Sequence, residues 1–235
     1  MKKHYISLFI FVTLLLLPVV GFSHVEYDRF DHPQWEIFTD GSGPRTIEKN
    51  RRLEMVLPAS STQSPAGGFS GNYVSTCKLR GDFDISVAYA LLQFPAFNGV
   101  RVGLVVQESS GVSPAAIERT SFSQHDALPP GEVYLTDFGG VTQVSTTDTR
   151  GKLRITREGN TLTGHYFDTD VKEWRRISSA TYTTNDVEFS IAAWSHDFAF
   201  DDQRVRVAFD NVIIKQGVLI GACGRVQTLS TSEEP

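Results

Sequence analysis

Short segments of alternating polarity recur from His24 onward, and sustained helical periodicity is absent. In Phe83-Asp84-Ile85-Ser86-Val87-Ala88-Tyr89 the odd positions point one way and Asp84, Ser86 and Ala88 the other. The pattern returns in 100–107, 152–156, 187–194 and 205–209, followed by Val212-Ile213-Ile214. Val, Ile, Phe and Thr dominate these segments, the composition of half-buried strands. Turn chemistry separates them. Glu158-Gly159-Asn160 predicts a hairpin between Ile155 and Leu162, and Asp168-Thr169-Asp170 another before Trp174. Gly41-Ser42-Gly43-Pro44 and Pro65-Ala66-Gly67-Gly68 mark loops. Ser109 to Pro130 reads as the longest loop, with one helical turn around Ala115–Arg119. Many short strands without helical blocks between them predict an all-β antiparallel sandwich or barrel, one domain over 24–227 with a polar tail at 228–235.

The first residues follow a different pattern. A basic start at Lys2-Lys3-His4 precedes an apolar run from Ile6 to Val20, and Gly21-Phe22-Ser23 supplies the small residues of a cleavage site. This predicts a secretory signal peptide over 1–23, a secreted or periplasmic mature chain, and no membrane span after cleavage. Export changes how the only two cysteines read. Cys77 and Cys223 are expected to form a disulfide stapling the C-terminal segment to an early strand, with a free or intermolecular thiol as the alternative.

Composition narrows the function. With 22 basic against 27 acidic residues the formal charge is -5, so there is no cationic surplus for phosphates and no nucleic-acid partner is expected. No P-loop, dinucleotide fingerprint, Gly-x-Ser-x-Gly elbow or HExxH helix occurs. Ser123-Gln124-His125-Asp126 holds Ser, His and Asp side by side, but adjacency in sequence is not triad geometry.

Several stretches in order resemble the concanavalin A-like lectin/glucanase superfamily, in its laminin-G-like and bacterial lectin-like branch. Phe30-Asp31-His32-Pro33-Gln34-Trp35 resembles the opening strand, and Gly81-Asp82-Phe83-Asp84-Ile85 the first long inner strand. Gly151 to Leu162 followed by Trp174 resembles the central hairpin, and Phe209-Asp210-Asn211-Val212 the closing strand. The resemblance implies a jelly-roll β-sandwich of two curved antiparallel sheets over residues 24–216. It does not settle function, because one fold carries many activities. The glucanase branch places Glu-x-Asp-x-x-Glu on one strand, since retaining hydrolysis needs two carboxyl groups about 5 Å apart. That spacing is missing. Glu132 and Asp137 come nearest, and five residues apart on a regular strand they face opposite sides.

If Val102, Leu104, Leu153, Ile155, Phe189 and Ile191 face inward, the alternate positions line an outer, concave surface. Arg101, Gln107, Tyr134, Arg154, His165, Glu188 and Trp194 are then the candidate ligand-binding set: aromatic faces stack on sugar rings while planar polar groups bond hydroxyls. The competing reading is an ordinary polar surface with stray aromatics. The stretch 194–202, with its two Phe, reads as a mobile lip over a ligand or as a hairpin tip tucked onto the core. No cofactor is required. The resemblance implies a structural calcium near the closing strand, with Asp210 and Asp31 as ligands, whereas those acids read alone are solvated surface groups. The expected function is an exported, non-catalytic, lectin-like module that binds carbohydrate or a cell-surface glycan. The alternatives are a glycoside hydrolase using Glu132 or Glu188 with His165, and an adhesion module that binds protein through residues 194–200.

Overall fold

The computed structural model describes residues 26–28, 35–49, 52–110, 113–196 and 198–221. The expected signal peptide, the tail, Cys223 and Asp31 lie outside the described residues. Among those described the chain forms strands and no helix. In chain order the strands are β1 (Glu26–Asp28), β2 (Trp35–Asp40), β3 (Arg45–Lys49), β4 (Arg52–Leu57), β5 (Gly68–Gln93), β6 (Arg101–Glu108) and β7 (Ala115–Phe122). There follow β8 (Gly131–Asp137), β9 (Val141–Ser145), β10 (Arg150–Glu158), β11 (Thr161–Asp168), β12 (Glu173–Thr181), β13 (Val187–His196) and β14 (Val205–Gly221).

All pairings are antiparallel, and the 26-residue β5 serves both layers of a jelly-roll sandwich. Its first half lies between β2 and β13 in a front sheet ordered β2-β5-β13-β6-β7-β8-β9. Its second half lies between β10 and β14 in a back sheet ordered β12-β11-β10-β5-β14-β4-β3, with β1 also on β14. Gly81 marks the change of sheet, with φ of 71° in the left-handed region that favours glycine. The Arg157 side chain, 1% exposed, fastens this corner. It donates to the carbonyls of Gly81, Thr183 and Asn185, and its guanidinium lies 4.8 Å from the centre of the Phe83 ring.

The core follows the alternation. Val102, Leu104, Val106, Phe189 and Ile191 of the front sheet meet Ile85, Val87, Leu153, Ile155, Val207 and Phe209 of the back sheet, all buried. The hairpin at Gly159-Asn160 forms as expected, with Glu158 opposite Thr161 and Gly159 at φ 58°. Cys77 is buried in β5 and pairs in register with Gly221.

Two expectations need correcting. Ala115–Arg119 is not a helical turn but part of β7, buried at every position. Its alternation is missing because both of its faces are covered, the inner by the core and the outer by the front-sheet groove. Tyr134 does not face outward. It is 1% exposed between the sheets, stacked on Tyr166 at 4.4 Å and hydrogen-bonded to Tyr89 and Asp148. Its neighbours Val133 and Leu135 take the outer side, sheltered with Phe122 and Leu128 in a separate apolar cluster.

Candidate functional site

The outer face of the front sheet is a groove of about 740 Å³. Its floor is set by cross-strand rows, because residues opposite one another in register share a face. One row runs Asp40, Ser70, Trp194, Arg101, Thr120; the next runs Phe38, Asn72, Ala192, Gly103, Glu118, Leu135. A third carries Ser190, Val105, Ala116 and Asp137. Small residues at Gly103, Ala116 and Ala192 make the middle of the sheet a trough rather than a ridge. A Cβ at Gly103 would stand 3.2 Å from the Trp194 ring and 3.3 Å from the Glu118 side chain, so the glycine gives the indole its seat beside the acid.

The polar groups are tied together. Arg101 lies 3.7 Å from Glu118 and 3.6 Å from Asp126, with its guanidinium over the Phe122 ring. Thr120 donates to Glu118 at 2.8 Å. Burial pushes the Glu118 carboxyl from 4.5 up to about 7; Arg101 and Thr120 oppose that rise, and Asp137 adds to it. Asp137 stands opposite Ala116, one diagonal step from Glu118. At the groove end, burial and then Arg101 hold the His196 imidazole below its usual range, so it is neutral at neutral pH. Phe198 stacks on His196 at 5.4 Å and is 62% exposed, whereas Phe200 tucks against Phe69 at 4.9 Å. The stretch 194–202 therefore divides between lip and core, with Asp197 outside the described residues.

The raised Glu118 value has a measurable consequence. A carboxyl whose folded value lies above its unfolded one stabilises fully at acid pH, and that contribution is lost as pH rises through about 7. The shift corresponds to on the order of 3 kcal/mol. Thermal melts of the protein and of Glu118→Gln should diverge between about pH 5 and 8, the unmodified chain losing more. Parallel curves would contradict a buried, protonated Glu118.

Of the expected ligand set, the groove brings together Arg101, Gln107 and Trp194, and Glu188 joins Gln107 and Phe38 in an adjoining hollow. Arg154 and His165 do not join them. Both face outward as expected, but from β10 and β11 on the back sheet, where Arg154 forms a bidentate pair with Asp84 at 2.7 and 2.8 Å. Tyr134 is interior. The acid pairs considered from sequence separate too. Glu132 pairs with Arg119 at 2.6 Å, and Glu188 with Lys78 at 3.1 Å, far from His165 on the other sheet. Glu118 and Asn72 are groove residues that the sequence did not single out, while Asp126, Asp137 and His196 were noticed in other roles and stand here around Arg101 and Glu118.

No group of three or more His, Cys, Asp or Glu among the described residues is arranged to hold a metal. Asp210 is exposed and accepts the Asn211 amide at 2.8 Å, and its expected companion Asp31 lies outside the described residues.

The family model described as protein of unknown function (DUF1583) C domain matches residues 60–193, more than half of the chain. The chain belongs to this family. The DUF1583 match runs from the approach to β5 through most of β13, so it takes in every groove strand except β2 and stops one residue before Trp194. No curated protein matches in sequence. Among solved structures, a β-1,3-1,4-glucanase (lichenase) from a mouse hindgut metagenome aligns at TM-score 0.58 and 11% identity, covering 83% of this chain and 99% of that one. Metal-free lectin I-B4 of Griffonia simplicifolia aligns at 0.56 and 11%, covering 81% and 98%. A Bauhinia forficata lectin in complex with GalNAc aligns at 0.55 and 12%, covering 85% and 99%. The fold is the concanavalin A-like jelly roll.

Proposed function

We propose that this DUF1583 chain is an exported, non-catalytic carbohydrate-binding module, and that the front-sheet groove holds the sugar. The observation that carries the reading is the half-buried Trp194 indole lying across Gly103 in a trough edged by Arg101, Glu118, Asn72 and Gln107. A flat aromatic face stacks on a pyranose ring, and guanidinium, carboxyl and amide groups bond its hydroxyls. The groove is concave and mixes polar with apolar lining, as small-ligand sites do. Solved neighbours of this fold include lectins and a glucanase, which supports the same reading. The leader-like sequence over 1–23 supports export, and no described helix is long and apolar enough to cross a membrane.

Affinity electrophoresis through gels containing neutral polysaccharides, with and without calcium, tests the proposal. At least one polysaccharide should retard the protein, and Trp194→Ala should weaken retention tenfold or more, about 1.4 kcal/mol. Absence of retardation across the panel would overturn it. Release of reducing sugar that Glu118→Gln abolishes would make the groove hydrolytic instead, with Glu118 as proton donor and Asp137 as the second carboxylate.

A further inference from the structure

The back sheet carries a second organised surface on its outer face, one that the groove does not use. Across β10, β11 and β12, Arg154, His165 and Arg176 stand in one register row. Lys152, Phe167 and Trp174 occupy the neighbouring positions. Lys152 lies 5.0 Å from the centre of the Phe167 ring and Arg154 5.4 Å from that of Trp174, and the two rings meet edge to face at 5.4 Å. The aromatics hold the cations upright from the sheet, a pre-ordering that spares part of the entropy of fixing long side chains on binding. Among the described residues Asp84 alone neutralises the group, through Arg154. Among the described residues neither Lys152 nor Arg176 has a carboxylate within ion-pair distance, and both are exposed. Arg175 is spoken for by Asp168 and Glu173 at the adjoining turn. Burial, Arg154 and Arg176 keep His165 below its usual range, and its Nδ1 is buried without a hydrogen-bond partner. In a chain of net charge -5 this is a cationic patch, on the opposite side of the sandwich from the acids of the groove.

We propose that this face binds an acidic polysaccharide, a glycan bearing carboxylate or sulfate groups, as a second site independent of the groove. Lys152 and Arg176 contact the anionic groups, and Arg154, held by Asp84 and Trp174, presents its remaining donors. The edges of Trp174 and Phe167 cover the sugar rings between the charges. Strands lie about 4.8 Å apart, so Arg154 and Arg176 stand roughly 10 Å apart. Sparse cations at that separation match a chain with widely spaced single charges. Nucleic acid, with a phosphate about every 3.4 Å along each strand, calls for a denser basic surface.

Binding to hyaluronan and to xanthan, acidic polysaccharides whose carboxylates are separated by uncharged sugars, with dextran as the neutral control and oligo-dT as the nucleic-acid control, tests this on the full chain. The protein should bind one or both acidic polymers at low salt and release them as salt rises, while ignoring dextran at this face. The double variant Lys152→Glu/Arg176→Glu, changed only at exposed positions, should lose at least tenfold in affinity for the acidic polymer. Trp194→Ala should bind that polymer as the parent does, and the double variant should keep any neutral-polysaccharide retention, so the two sites fail separately. Unchanged binding by the double variant, loss of acidic-polymer binding in Trp194→Ala, or tighter binding to oligo-dT would each overturn the proposal.

Discussion

Arg157→Ala is expected to destabilise the protein by about 3–5 kcal/mol, a large part of what a domain of this kind has in total. The guanidinium is buried at the point where β5 leaves the front sheet for the back one, and three backbone carbonyls converge on it, one from Gly81 and two from the turn between β12 and β13. Truncation removes the one donor those carbonyls share and opens a void against Phe83. Lys at this position should rescue little, because a single ammonium cannot reach Gly81, Thr183 and Asn185 together as the planar fork does. Urea unfolding followed by tryptophan fluorescence measures the effect. A loss below about 1 kcal/mol would mean that the corner is held by strand pairing alone.

Gly103→Ala should close the site without removing any polar group. The added methyl would stand 2.6 Å from the Ile117 carbonyl oxygen on the paired strand, a backbone atom that cannot swing aside, and would press on both Trp194 and Glu118. Overpacking of this kind costs about 1–3 kcal/mol. The strand must shift and the indole must lift, so polysaccharide retention should fall at least tenfold even in protein that remains folded. Parent-like retention would show that the ligand does not use the trough between Trp194 and Glu118.

The strand alternation identified the inward residues Val102, Leu104, Leu153, Ile155, Phe189 and Ile191 correctly, because a period of two is imposed wherever one face is buried and the other is not. It could not say which of two sheets a strand joins. Arg154 and Trp194 both point outward, yet from opposite sides of the sandwich, since the long β5 pairs with β10 through one half and β13 through the other. The two strands that misled are those covered on both faces. In β7, Ala-Ala-Ile-Glu-Arg-Thr shows no alternation, and Glu118 went unnoticed inside it. In β8 the polarity is inverted: the core side carries Tyr134 and Thr136, satisfied by Asp148, Tyr89 and Ser178, while Val133 and Leu135 face the groove side. An acid-arginine pair placed directly after the apolar run Ala115-Ala116-Ile117 is the signal that could have exposed Glu118.

The three tryptophans report separately on the core edge, the back face and the groove, as Trp35, Trp174 and Trp194. An ¹⁵N-indole NMR titration with an oligosaccharide cut from the retained neutral polysaccharide therefore tests the central claim most directly. The Trp194 signal should move and saturate while those of Trp35 and Trp174 stay in place. A stationary Trp194 signal at saturating sugar, or movement at Trp174 alone, would contradict it.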